Sequence, residues 1–183
     1  MLKTKLFLLL PKKLTPLSLF TFIFLLNIIL RSIFIFYGYI SHDEGIALYN
    51  TRLVQSGLVP FVDYNAWNSL LNDYIMSISH LGIAPTFLNQ RLLASIFALC
   101  TFLITVHTAR KLGRSITAVW TAFFLTFGSL TYTYYSNLPY SVEPMTLTLS
   151  LSIYFLVSSQ SGSYIQLKEN LALFFAIVAT VIR

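Results

Sequence analysis

The chain has 183 residues, of which 56% are hydrophobic and only 10% are charged, and its net charge is +6. A soluble domain of this size could not bury so much apolar side chain, so the composition places the protein in the membrane class. The single cysteine, Cys100, lies in an apolar run, which excludes a disulfide framework and a cysteine-based metal site.

Five apolar runs predict an all-α membrane protein that crosses the bilayer several times. The first run, residues 17–39, contains one charge, Arg31, and at about 1.5 Å per residue it can cross about 30 Å of hydrocarbon. The other predicted spans are 92–109, 116–135, 142–157 and 171–183. The last is shorter than the roughly 17 residues that a span needs, so we expect the sequence to be the N-terminal part of a larger membrane protein.

The basic residues predict the orientation of these helices. Eight of the twelve precede the first span or lie in loops that alternate to one side: Lys3, Lys5, Lys12, Lys13, Arg110, Lys111, Arg114 and Lys168. Since loops rich in Lys and Arg stay in the cytoplasm, we expect a multi-pass protein of the cell membrane with a cytoplasmic N-terminus. Orientation thus accounts for the positive charge, and no nucleic-acid partner is expected.

The acidic residues collect on the opposite, outer side. Five of the six lie there: Asp43, Glu44, Asp63, Asp73 and Glu143. Asp43 and Glu44 follow the first span directly, whereas Glu143 precedes the fourth, so acids a hundred residues apart reach the same level of the membrane surface. Asp73 is interpreted as a charge on a helix surface.

The first outer loop, residues 41–90, is too long to be a simple connector and should have its own structure. Apolar residues on one face predict an amphipathic helix over 44–56 and a second over 66–81. The second helix has the sharper stripe, which comprises Trp67, Leu70, Leu71, Tyr74, Ile75, Ile78 and Leu81. Both helices are too short to span, so we expect them to lie in the interfacial plane of the membrane.

The order of these features resembles one family of membrane enzymes. The first helix, with Arg31, is followed by HDEG (42–45), GLVPFVDYN (57–65), an amphipathic segment, QRLLASIFALCTFLITVHTARKLGRS (90–115) and YYSNLPYSVEPMTLTLS (134–150). This order resembles the N-terminal part of the GT-C glycosyltransferases, near the protein O-mannosyltransferases and the bacterial aminoarabinose transferases. The resemblance implies transfer of a hexose or pentose, with inversion, from a polyprenyl-phosphate donor to a hydroxyl of a lipid, glycan or protein on the outer face.

The resemblance also implies roles for three acids. Asp43 matches the proposed catalytic base of the family, Glu44 is its neighbour, and Glu143 matches a second acid that helps to organise the donor or a metal. A hydroxyl is a poor nucleophile, so a carboxylate within hydrogen-bond reach is needed to remove its proton. If a divalent cation takes part, Asp43 and Glu143 are the expected oxygen ligands.

The departing lipid phosphate needs positive charge or hydrogen-bond donors nearby. Arg31, Arg52 and Arg91 are the outward candidates for substrate binding, and Asp63 is a further candidate. Arg31 has a second interpretation, because it lies about 9 Å from the outer end of its helix and could snorkel to the interface. Relatives often carry Lys-Pro or His-Pro-Pro where this chain reads NAWNSLLND (65–73), which leaves the phosphate contact and the acceptor open.

Two alternatives remain open at the level of sequence. Asp43 and Glu44 could simply stabilise the start of the helix that begins near Gly45, because acids favour helix N-termini. The protein could also be a non-catalytic fragment or subunit, or part of a transporter. A transporter is expected to place ionisable residues at the bilayer midplane, whereas these acids lie at the water boundary, which favours surface chemistry.

Overall fold

The computed structural model describes residues 15–37, 42–66, 70–78, 86–127, 142–160 and 164–182. Its helices are α1 (Pro16–Tyr37), α2 (His42–Gln55), α3 (Leu70–Ser77), α4 (Phe87–Leu112), α5 (Ser115–Phe127), α6 (Val142–Ser159) and α7 (Ile165–Ile182). No strand is present among these described residues, which confirms the predicted all-α class.

Three of the described helices, α1, α4 and α7, are long and apolar enough to cross a membrane. Two shorter apolar stretches lie in α5 and α6, at Ser115–Thr126 and Pro144–Ser159. Large apolar side chains stay exposed along the longer helices, and Phe22 on α1 and Phe174 on α7 are 63% and 57% exposed. These helices therefore have the length and surface expected for contact with lipid.

The start of α4 differs from the predicted boundary at residue 92. Thr86 precedes the helix in an extended conformation, and its hydroxyl accepts a hydrogen bond from the Asn89 backbone N–H. This N-cap begins the helix at Phe87, so the polar residues Gln90 and Arg91 lie inside α4 instead of in a loop. Their side chains are thereby fixed on a rigid element.

The last helix, α7, is longer than the span predicted from residue 171 onward. It begins at Ile165, not at residue 171, and has 18 residues. Lys168 and Glu169 interrupt the apolar pattern, so the pattern does not reveal the first turns of this helix. In the structure the Lys168 ammonium donates a hydrogen bond to the Ser158 carbonyl of α6 at 3.0 Å, which accommodates the charge within the helix. The prediction that this span is too short is therefore wrong.

The structure describes only part of the second helix predicted within residues 41–90. Ala66 is not helical, α3 covers Leu70–Ser77, and Trp67 and Leu81 lie outside the described residues. The predicted span 116–135 is described only as far as Phe127, so its second part is likewise outside the description.

The packing of the bundle is organised around α4, which contacts α1, α2, α5 and α6. A core forms where α1, α4 and α5 meet, and it comprises Ile23, Phe102, Val106, Ala118, Val119 and Ala122. The alanines of α5 let the helix backbones approach closely, as small residues do between membrane helices. α6 and α7 run antiparallel, since Ser152 pairs with Ala172 and Ser158 with Lys168.

Charged residues lie at opposite ends of this bundle. Arg91 near the start of α4 contacts Glu44, whereas Lys111 near its end contacts Ser158. We call the two ends the acidic end, with Asp43, Glu44, Asp63 and Asp73, and the basic end, with Arg110, Lys111, Arg114 and Lys168. Along α4 the two ends are separated by about 28 Å, which is close to the thickness of the hydrocarbon layer.

Candidate functional site

The neighbouring acids Asp43 and Glu44 have opposite surroundings in the first turn of α2. The side chain of Asp43 is 60% exposed, whereas that of Glu44 is completely buried. The Glu44 carboxylate accepts two hydrogen bonds from Arg91, from Nε at 2.5 Å and from Nη2 at 2.8 Å. Only Asp43 of this pair is therefore open to a substrate in the described conformation.

Arg91 joins three helices at the acidic end. Besides its two bonds to Glu44, its Nη1 donates to the Ile35 carbonyl at 3.0 Å. Ile35 lies in the last turn of α1, where backbone carbonyls lack partners within the helix. The guanidinium thus links the end of α1 to the start of α2 from a rigid position on α4, and its bidentate geometry offsets the cost of burying the two charges.

A second contact holds α2 against α4. The Gln90 amide nitrogen donates to the Thr51 hydroxyl at 2.8 Å and to the Ala47 carbonyl at 3.4 Å. Gln90 is fully buried, and among the described residues its side-chain oxygen has no hydrogen-bond partner. Together with the Glu44–Arg91 pair, this contact fixes the backbone that carries Asp43.

In the described part of the chain, the ionisable side chain next to Asp43 is that of His42. Its Nδ1 lies 3.8 Å from Asp43 Oδ1, and both side chains are largely exposed. An imidazole at this distance could orient the carboxylate or carry a proton away from it. The sequence offered no pattern for this pairing beyond adjacency.

A buried carboxylate, Asp73, forms a separate cluster between α2 and α3. Its Oδ2 accepts hydrogen bonds from Asn50 Nδ2 at 3.2 Å and from the Tyr64 hydroxyl at 3.1 Å, and the residue is 1% exposed. The interpretation of Asp73 as a surface charge is therefore wrong. Burial raises the pKa of Asp73 to about 6, although the two hydrogen bonds oppose the shift. Burial and the nearby Asp73 also raise the pKa of Tyr64 above its ordinary value.

The raised pKa of Asp73 predicts a decline in stability as the pH rises. The folded chain binds this proton more tightly than the unfolded chain, so its contribution to stability is fully present below 3.8 and is lost as the pH rises through about 6. Thermal unfolding in detergent should show that decline in the wild type and a reduced one in Asp73→Asn. Equal slopes for wild type and Asp73→Asn would contradict the assignment.

Arg31 is 3% exposed and lies inside the helix bundle. Its Nε donates to Asn27 Oδ1 at 2.9 Å, and Asn27 Nδ2 donates to the Thr126 hydroxyl of α5 at 3.2 Å. The snorkelling interpretation is therefore wrong, because the side chain is buried and bonded to Asn27 of its own helix instead of reaching the interface. This polar chain links α1 to α5, as hydrogen bonds do between apolar helices in membranes.

The remaining predicted site residues are not brought together by the described structure. Asp63 Oδ2 accepts a hydrogen bond from the Val59 backbone N–H at 2.7 Å, which closes the loop after α2. Arg52 is exposed near the end of α2, about 13 Å along the helix from Asp43. Glu143 lies in the first turn of α6, but its side chain is outside the described part.

A metal site is not present among the described residues, where no group of three His, Cys, Asp or Glu side chains converges. The predicted pairing of Asp43 with Glu143 around a divalent cation depends on a side chain that is not described. It therefore stays a prediction.

Comparisons with known proteins do not place the chain in a family. No family model, no curated protein and no solved structure matches it.

Proposed function

We propose that the protein is a multi-pass membrane glycosyltransferase that moves a sugar from a polyprenyl-phosphate donor to a hydroxyl at the acidic end. The observation that carries the proposal is the difference in exposure between Asp43 and Glu44. One carboxylate is exposed at the end of an apolar helix bundle, and its neighbour is fixed by Arg91. This is the arrangement that a rigidly held general base requires.

The membrane part of the proposal is supported by the surface of the helices. Exposed phenylalanines along α1 and α7 would be costly in water and are suited to lipid. The spacing of about 28 Å between acidic and basic ends also matches a bilayer. With basic residues on the cytoplasmic side, Asp43 faces the extracytoplasmic side and meets a lipid-linked donor at the membrane surface.

In the proposed reaction, Asp43 removes the proton from the acceptor hydroxyl as its oxygen attacks the anomeric carbon of the donor. The bond between that carbon and the phosphate oxygen breaks, and the polyprenyl phosphate leaves with the bonding electrons. Glu44 and Arg91 are positioning residues here, since both are occupied with each other and hold the start of α2. Arg52 and Glu143 remain candidates for the leaving phosphate and for a metal, respectively.

The resemblance to GT-C transferases supports the choice of donor. A transporter or a non-catalytic subunit is less well supported, because the exposed carboxylate lies at the end of the bundle rather than at its middle. The buried polar chain through Arg31 is closer to the middle, but its described bonds join Arg31 to Asn27 within α1 and Asn27 to Thr126 of α5, and helix packing accounts for them.

Sugar transfer by the full chain tests the function. The protein is reconstituted in lipid vesicles with a radiolabelled polyprenyl-phosphate sugar and a panel of lipid, glycan and peptide hydroxyl acceptors. We expect label to leave the donor and appear in one acceptor class. Folded protein that releases no label to any acceptor, with or without Mg²⁺ or Mn²⁺, would contradict the proposal.

A further inference from the structure

A large groove lies at the basic end, far from the acids of the proposed site. Its volume is about 830 Å³, within the range of pockets that hold small molecules. α4 forms the floor, since α1 and α6 both pack on it, and α5 closes one end. The walls are apolar, with Leu17, Phe20, Leu103, Ile104, Val119 and Leu151 among the lining residues.

The groove has positive charge at its mouth. Arg110 lines it and is exposed, and among the described residues its guanidinium has no hydrogen-bond or ion-pair partner. The neighbouring Lys111 is already occupied, because its ammonium donates to the Ser158 hydroxyl at 2.6 Å and lies 4.4 Å above the Tyr154 ring. Within the described ranges, Arg110 is therefore the cation that the groove presents to a ligand.

We infer that this groove binds one anionic glycerophospholipid, with an acyl chain along α4 and the phosphate on Arg110. Apolar walls with the Arg110 cation at the mouth complement an amphiphile with an anionic head, and guanidinium groups bind phosphate well. The His107 ring packs 5.6 Å from the Tyr154 ring beside Arg110, which gives the headgroup a polar and aromatic border. The inference rests on the membrane placement in the proposed function, but not on sugar transfer.

The proposed lipid differs from the sugar donor. The donor phosphate reacts near Asp43 at the acidic end, whereas Arg110 lies at the basic end, about 28 Å along α4 from Arg91. One phosphate cannot occupy both positions at once. In the proposed orientation the groove opens to the cytoplasmic leaflet, where anionic lipids attract basic residues.

Lipid retention measured by native mass spectrometry tests the inference. The full chain is placed in nanodiscs with equal amounts of phosphatidylglycerol and phosphatidylcholine, released, and weighed with its bound lipids. We expect one retained phosphatidylglycerol, favoured over phosphatidylcholine by about five- to tenfold, and no displacement by inorganic phosphate. Arg110→Gln should remove the preference, whereas the matched control Arg114→Gln, which loses an exposed arginine outside the groove, should keep it.

A variant that fills the groove tests the acyl-chain part. Leu103 is 42% exposed, so Leu103→Trp can occupy the groove without disturbing the buried core, and retention of both lipids should fall several-fold. Leu151→Trp on the opposite wall provides a second filling variant if the first does not fold.

Four results obtained with the chain inserted in the nanodisc would overturn the inference. They are equal retention of the two lipids, an equal effect of Arg110→Gln and Arg114→Gln, increased retention after deletion of residues 1–14, and a dimer that excludes lipid. The third would show that the N-terminal segment occupies the groove, and the fourth that a second copy does. A chain that stays outside the nanodisc would contradict the membrane placement as well, whereas loss of sugar transfer alone would leave the groove assignment standing.

Discussion

Asp43→Asn is expected to lower kcat/KM for sugar transfer by about 10²- to 10⁴-fold, the usual contribution of a positioned general base. The amide has nearly the same shape as the carboxylate but cannot accept the acceptor proton. Because the Asp43 side chain is 60% exposed, the fold should tolerate the change. Transfer of radiolabel from the polyprenyl-phosphate donor at subsaturating acceptor measures the effect.

The same variant separates catalysis from stabilisation of the helix start. An acid in the first turn of α2 interacts with the helix dipole, so Asp43→Asn should cost at most about 1 kcal/mol of stability. If the Asp43 carboxylate only stabilises the start of α2, the sugar-transfer activity of the variant will fall in proportion to its folded fraction and no further. Glu169→Gln is the matched control, since it removes an exposed acid at the basic end and should leave transfer unchanged.

Arg91→Met is expected to destabilise the fold by about 3–5 kcal/mol, because it leaves the Glu44 carboxylate buried without its cation. The lost bonds include those to both Glu44 oxygens and to the Ile35 carbonyl, so three helices lose their common contact. Denaturant-induced unfolding in detergent, followed by helical circular dichroism, measures the change. Arg114→Met is the control for loss of an exposed arginine and should shift the free energy of unfolding by less than about 0.5 kcal/mol.

A double-mutant cycle shows whether the loss of stability in Arg91→Met arises from its interaction with Glu44. Glu44→Leu combined with Arg91→Met removes both charges, and it should cost less than the two single changes together, because neither charge is left buried alone. Additive costs would mean that the two side chains act independently. A mild effect of Arg91→Met, similar to that of Arg114→Met, would contradict the assigned role of the pair.

The long apolar helices could be predicted from sequence because their signal is local. A run of apolar residues determines α1 without reference to the rest of the chain, and the observed helix Pro16–Tyr37 is close to the predicted 17–39. The start of α7 was missed for the same reason. Lys168 breaks the local pattern, and its acceptor, the Ser158 carbonyl, lies on another helix.

The acids at positions 43, 44 and 73 show which features local patterns cannot predict. Asp43 and Glu44 are adjacent and chemically similar, and the difference between them comes from Arg91, which is 47 residues away from Glu44. The sequence pattern indicates a surface charge at Asp73, because the burial of this residue depends on how α3 packs against α2. In each case the deciding contact joins elements that are distant in sequence, so neither periodicity nor composition records it.

The two-ended arrangement of charge is tested most directly by cysteine labelling in sealed, right-side-out vesicles. Single-cysteine variants are made in a Cys100→Ser background, with Asp43→Cys at the acidic end and Arg114→Cys at the basic end. We expect a membrane-impermeant maleimide to label residue 43 from outside and residue 114 only after the vesicles are opened. Labelling of residue 114 from outside, with residue 43 protected until opening, would contradict the proposed orientation.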